Sequence, residues 1–244
     1  VIPYFWKNVE TNLIDFTIYD ASFKLTEEGT ASYVFHPDRP EATDRGPTGM
    51  VAEMAAFARL TRGRKRLLDV GALFGFFSLV FTSRPGTSAV AIEPSPWAWP
   101  ILWEHIEANL GHRIEAIQMF AGDKQRLIEV GRDWKHVVAG IVSLETATVT
   151  ERQIDDITGD FDTMKIDVEG YEVQVLRGAR KLIERCKPLI FLEVHSASLP
   201  SVGESVESLL AVIGEIGYCV RDYDGKPVTY IDPGSMTRVL CEPT

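Results

Sequence analysis

The first 45 residues carry apolar and polar positions in short alternating stretches: Leu13-Ile14, Phe16, Ile18-Tyr19, and then Ala31 to Phe35. A period near two is that of a half-buried strand, so the pattern predicts a strand pair with a turn around Glu27-Glu28-Gly29. Three prolines and a glycine over residues 36–47 make a loop. Met50, Met54, Phe57 and Ala58 fall at helical spacing behind the cap-like Thr48, which predicts a helix over 50–60. From there strand and helix patterns alternate. Strands are expected at 66–70, 88–92, 115–120, 161–166 and 189–194, and helices at 76–82, 96–109, 152–157, 171–184 and 204–216. Residues 135–149, β-branched and alternating, read as an inserted hairpin. Residues 218–223, the Asp224-Gly225 turn and 227–230 read as two closing strands, one of them antiparallel at the sheet edge. The alternation is that of an α/β fold with a mostly parallel sheet and helices on both faces. Residues 1–47 form an N-terminal β extension and 48–244 the main domain, with no linker inside it.

Composition narrows the class. At 45% hydrophobic residues the 244-residue chain buries a sizeable core. No apolar run reaches about 18 residues, so no membrane span is expected. The start, Val1 to Lys7, has no basic segment ahead of an apolar run, so no secretory leader is expected. Cys186, Cys219 and Cys241 are scattered and lack metal spacing, which suits packing thiols in a reducing, cytoplasmic setting. A formal charge of −10 argues against nucleic acid as a partner, because phosphate contacts need a concentrated basic face. The basic run Arg62 to Arg66 reads as a solvated helix-to-strand turn. A homo-oligomer is compatible with all of this.

The strongest chemical signal is Asp69-Val70-Gly71-Ala72-Leu73-Phe74-Gly75, between an apolar strand and an apolar helix. Gly71 and Gly75 let the backbone turn tightly and let a ligand approach the main chain near Ala72; a purely structural turn would use them too. Asp69, at the strand's C-terminal end, either orients the ammonium end of a ligand or caps its own loop. Glu93-Pro94 ends the next strand about 20 positions on, where a carboxylate grips a ribose diol. Gly122-Asp123 follows the third strand, and Asp123 either meets an adenine amino group or caps a helix. Trp97 is placed to border the adenine, whereas Trp99 and Trp103, one turn apart, read as core packing. A second cluster closes the fourth strand with Asp167, Glu169 and Glu172. The fifth strand puts Glu193 and His195 on one face.

Together DVGALFGFFSL, the AIEPSP turn, the MKIDVEGYEVQVLRGA block and the IFLEVH strand resemble the FkbM-type S-adenosylmethionine-dependent methyltransferases, over residues 67–196. The resemblance implies a Rossmann-like class I methyltransferase fold with a seven-stranded sheet. It also implies S-adenosylmethionine as cofactor and a small hydroxylated acceptor, often a sugar or a polyketide-type natural product. By resemblance Asp69, Gly71 and Gly75 line the methionine end, Glu93 the ribose and Asp123 the adenine. Asp167, Glu169 and His195 would lie near the reacting methyl. The chain has Leu73 where the family often has Asn, and of the Thr-Leu-Asp-Asp-like segment before the fourth strand it keeps only Asp155-Asp156.

Methyl transfer to oxygen is an in-line displacement in which positioning contributes about 7–11 kcal/mol. A base for the acceptor's proton adds about 10²–10⁴-fold. His195 is the first candidate, since imidazole titrates near neutral pH; the alternative is a buried histidine bonded to a strand neighbour. Asp167 or Glu169 would orient it or take the proton instead. A variant gathers Asp167, Glu193 and His195 around Mg or Mn. Two rivals stand beside this reading. A nicotinamide-dependent oxidoreductase would prefer three glycines in the turn. A non-catalytic nucleoside-cofactor binding module would not need acids at three strand ends.

Overall fold

The structure is a computed structural model that describes residues 13–26, 50–131 and 146–244. The strand expected at 31–35, the loop over 36–47 and the first part of the 135–149 insertion lie outside the described residues.

A hairpin of β1 (Leu13–Ile18) and β2 (Ala21–Thr26) leads the chain, with Ile18 opposite Ala21 across a two-residue turn. Its turn is at Tyr19-Asp20, inside the stretch expected as one strand, and the turn expected at 27–29 lies outside the described residues. Tyr19 takes the left-handed φ of 58°, unusual without glycine, so its residue type carried no turn signal. Arg62 compensates: its guanidinium lies 4.8 Å over the Tyr19 ring and bonds Asp20 at 3.2 Å.

After α1 (Met50–Leu60) the chain runs β3 (Arg66–Val70), α2 (Phe76–Thr82), β4 (Ser88–Ile92), α3 (Trp99–Ala108) and β5 (Ile114–Ile117). Three short-sheet strands follow: β6 (Phe120–Gly122), β7 (Arg126–Gly131) and β8 (Thr146–Gln153). Then come β9 (Thr163–Ile166), α4 (Glu172–Gly178), α5 (Arg180–Cys186), β10 (Leu189–His195), α6 (Val206–Glu215), β11 (Tyr218–Arg221) and β12 (Met236–Pro243). The main sheet has seven strands in the order β11-β12-β10-β9-β3-β4-β5. From β3 the chain builds outward to β5, then returns to β9 on the other side of β3. The order therefore reverses between β3 and β9, and the crevice beyond their C-terminal ends is where open α/β sheets take ligands.

Alternation along the strands divides the core. Leu67, Leu189, Phe191 and Leu240 face α1, α2 and the hairpin, packing with Phe57, Phe77 and Phe81. Leu68, Val70, Met164, Ile166, Ile190 and Leu192 face α4, α5 and α6 on the other side. The hairpin is tied to α3 as well: Asn109 bonds both the N–H and the C=O of Lys24 at 2.7 Å, and His105 bridges Thr26 and the Phe74 carbonyl. No helix among the described residues is long and apolar enough to cross a membrane.

Several boundaries differ from expectation. The strand expected at 115–120 is two pieces, because Phe120–Gly122 leaves the main sheet to pair with Glu151–Gln153 of β8. The inserted hairpin has arms at β7 and β8, wider than 135–149. The helix expected at 152–157 is the end of β8 and a single 3-10 turn, Ile154–Asp156. The helix expected over 171–184 is broken at Ala179. Gly178 packs so closely on β6 that a Cβ there would stand 1.9 Å from the Gly122 carbonyl oxygen. Asp155 then caps the new helix start, accepting from the N–H groups of Lys181 and Leu182. The stretch 227–230 makes only an isolated bridge from Pro227 to Arg221. The final strand is β12, antiparallel to both β10 and β11, so the one antiparallel member lies a place in from the edge.

Candidate functional site

At the reversal point a cavity of about 670 Å³, its open mouth included, is lined by Val70, Gly71, Leu73, Ile92, Glu93, Pro94, Ser95, Phe120, Ala121, Asp167, Val168 and Glu169. Gly71 makes this possible. Its φ is +80°, and a Cβ there would stand 1.8 Å from the Asp167 carbonyl oxygen, so the loops after β3 and β9 touch main chain to main chain. The N–H groups of Gly71 and Ala72 both bond the Ile92 carbonyl at 2.9 Å, anchoring the turn to β4. Gly75, also left-handed, faces Leu102 rather than the cavity.

Glu93 is 5% exposed, and its two oxygens accept from the amides of Leu73 at 2.7 Å and Ser95 at 2.8 Å. Each oxygen keeps further acceptor capacity for a hydroxyl. Burial pushes its carboxyl up to about 7 against the pull of those amides. Asp69 does not line the cavity. Its Oδ2 accepts from the Ser78 N–H and hydroxyl on α2, and its Oδ1 is buried without a protein partner. Trp97 packs beside the Phe120 cluster, at the flank of the cavity. Gly122 sits behind Phe120 against Glu151 and Tyr171. Asp123 is not a helix cap, since the strand β7 follows it; its Oδ1 is buried without a protein partner.

Asp167, Glu169 and His195 come together at the other end. His195 Nε2 lies 3.4 Å from Glu169 Oε2 and 3.9 Å from Asp167 Oδ1. Glu169 holds a left-handed φ of 54° that directs it there. Burial pushes its carboxyl up to about 7. Burial alone would lower His195, but the Glu172 hydrogen bond and the Asp167 and Glu169 charges outweigh it and raise the imidazole to about 9. Asp167 is half-buried; the desolvation raises its carboxyl, and Lys165 at 3.0 Å overrides that and keeps it below its usual range.

Two participants carry no signal of their own in the sequence, Lys165 and Arg238, and Glu172 shows there only as one of the three acids after the fourth strand. Lys165 lies within the MKIDVEGYE block itself, two residues before Asp167. Arg238 has no local signal; it bonds Glu53 of α1 at 2.8 Å and Glu193 of β10 at 3.3 Å. Asp167, Glu193 and His195 do place ligand atoms within 4.8 Å of one another, as a cation would need. Two of the three, however, already face a protein cation: Asp167 faces Lys165 and Glu193 faces Arg238.

The residues present suit an adenosine-containing cation: apolar Ile92, Pro94, Phe120 and Ala121 at one end, a carboxylate between, and acids at the other. The methyltransferase FkbM domain matches residues 69–220, more than half of the chain. No curated protein matches the chain in sequence. Among solved structures, the methyltransferase FkbM from Methylobacillus flagellatus KT aligns at 22% identity and a TM-score of 0.48, over 73% of this chain and 43% of that one. The chain thus spans less than half the length of that protein. An O-methyltransferase from Bacillus cereus, solved as a complex with SAH, aligns at 12% identity and a TM-score of 0.47, over 78% of this chain and 79% of that one.

Proposed function

The chain belongs to the FkbM methyltransferase family, and on that premise we propose that it methylates a hydroxyl oxygen of a sugar or polyketide-like acceptor with S-adenosylmethionine. The observation that carries the reading is that one cavity is bounded by Glu93 on one strand end and by Asp167 and Glu169 on another, with Gly71 in its wall. In this reading Glu93 accepts both ribose hydroxyls and Phe120, Ala121 and Pro94 flank the adenine. Asp123, with its unpartnered oxygen, is the candidate for the adenine amino group. Asp69 acts from below, holding the turn through Ser78. S-adenosylmethionine, when bound, supplies a methyl already activated by a positive sulfur, whose charge opposes a protonated His195.

The protein then has to align the acceptor and take its proton. His195 Nε2 is the atom placed for this, with Glu169 3.4 Å away to pass the proton outward. Lys165 and Arg238 balance the acids, so no step is assigned to a metal.

Calorimetry with S-adenosylhomocysteine and, separately, NADH tests the cofactor. Binding of the first and not the second is expected; the reverse would sink the reading in favour of a nicotinamide enzyme. A screen of hydroxylated sugars, glycolipids and polyketides for uptake of labelled methyl then identifies the acceptor. S-adenosylhomocysteine binding with no uptake anywhere, and no effect of His195→Ala, would favour a non-catalytic binding module.

A further inference from the structure

Glu172 opens α4 directly behind the Gly170 turn and is fully buried. One of its oxygens, Oε1, collects three contacts: His195 Nδ1 at 2.9 Å, the Gly170 N–H at 3.0 Å and the His195 backbone N–H at 3.3 Å. Oε1 already accepts from two backbone N–H groups and so is an acceptor toward the ring as well, which places the hydrogen on the ring nitrogen beside it. Gly170 has a φ of +108°, and a Cβ there would stand 2.5 Å from the Ser198 side chain, so the turn is wedged against the segment after β10.

We infer that Glu172 is a positioning residue that fixes His195 with hydrogen on Nδ1, leaving Nε2, which faces the cavity-lining Asp167 and Glu169, as the nitrogen that takes the acceptor's proton. The inference rests on the methyl-transfer reading above. Without Glu172 the opposite arrangement would win. Glu169 at 3.4 Å and Asp167 at 3.9 Å both face Nε2 and would draw the ring hydrogen there, where it would point at the acceptor and block proton uptake. Glu193 on β10 adds a further negative charge nearby, while Lys165 and Arg238 are turned to the carboxylates. Which nitrogen of a histidine carries hydrogen is set by the partner of the other, and a buried carboxylate at 2.9 Å on the Nδ1 side decides it here.

The test uses the whole chain with ¹⁵N-labelled histidine and saturating S-adenosylhomocysteine, followed upward in pH from 9 until the imidazole, raised to about 9, has lost its charge. Long-range ¹⁵N–¹H spectra show which ring nitrogen bears hydrogen, with His195→Gln assigning the signal. The wild-type protein should show hydrogen on Nδ1. Glu172→Gln, whose amide oxygen still accepts, should keep it there, and Glu172→Leu should move it to Nε2. A wild-type ring with hydrogen on Nε2 overturns the inference, and so does Glu172→Leu with Nδ1–H retained. Should Glu172→Leu not fold, the wild-type spectrum still decides. A tether that only stiffened the Gly170 turn would leave the ring tautomer unmoved by Glu172→Leu. Calorimetry on the same samples separates the two levels: wild-type protein that fails to bind S-adenosylhomocysteine defeats the methyl-transfer reading, whereas a wrong tautomer with intact binding defeats this one.

Discussion

Lys165 Nζ stands 3.0 Å from Asp167 Oδ2 and 4.2 Å from the centre of the Phe77 ring, almost wholly buried. It is the cation around which Asp69, Asp167, Glu53 and Glu193 are arranged, and their charges raise its pKa against the burial that would lower it. Lys165→Met leaves those acids short of a partner. Breaking a buried pair from one side costs about 3–5 kcal/mol. Urea unfolding should show a loss of that order; a loss below about 1 kcal/mol, as for an exposed pair, would mean that Lys165 does not hold the layer together.

Glu93→Ala should weaken S-adenosylhomocysteine binding by at least about 100-fold, since two hydrogen bonds to a charged acceptor are worth about 1.5–3 kcal/mol each. Calorimetry measures it. Near-unchanged affinity would remove Glu93 from the ribose site.

Two glycines with nearly the same dihedral separate strain from close approach. Gly71 and Gly86 have φ of +80° and +78°, but a Cβ on Gly71 meets the Asp167 carbonyl at 1.8 Å while one on Gly86 meets nothing. Gly86→Ala should cost only the left-handed backbone, roughly 1–2 kcal/mol. Gly71→Ala should cost more and abolish cofactor binding. Equal melting temperatures for the two variants would contradict the contact between the β3 and β9 loops.

Stability should fall with rising pH. His195 is raised from 6.5 to about 9, so its contribution is full below pH 6.5 and lost as pH climbs through 9. At about 1.4 kcal/mol per unit that is of order 3 kcal/mol. Glu53, Glu93 and Glu169, raised from 4.5 to about 7, act in the same direction between those values. Thermal melts of the cofactor-free protein should therefore decline from pH 6.5 to 9, and His195→Gln should flatten that decline. A parallel decline in the variant would assign the effect elsewhere.

Because Arg238 and Lys165 already face the acids, the protein should bind Mn²⁺ weakly, and a chelator should leave S-adenosylhomocysteine binding and methyl transfer unchanged. Electron paramagnetic resonance titration checks the first part. Stoichiometric tight Mn²⁺ at Asp167, Glu193 and His195 would restore the metal-assisted variant.

Short-range pattern determined most of the frame. The strands at 66–70 and 88–92 and the helix at 76–82 fall where periodicity put them. Gly71, Glu93, Pro94, Asp167 and Glu169 all reach the cavity from motifs only a few residues long. Their placement follows from topology: strand ends in a parallel sheet share one edge, so local spacing suffices to gather them.

Contacts between distant parts of the chain decided the rest. Nothing near Glu53 announces that it pairs with Arg238, from the first described helix to the last strand. Asp69 has the position of a ligand-facing acid, yet it turns onto Ser78 because its strand face looks toward α2. The helix over 171–184 breaks because Gly178 meets the backbone of Gly122, a constraint invisible to helical spacing. Glu172 finds His195 across 23 residues only because α4 starts beneath the end of β10. Periodicity records which face of an element is apolar; which charges meet on that face depends on the sheet order, and only packing sets the distances.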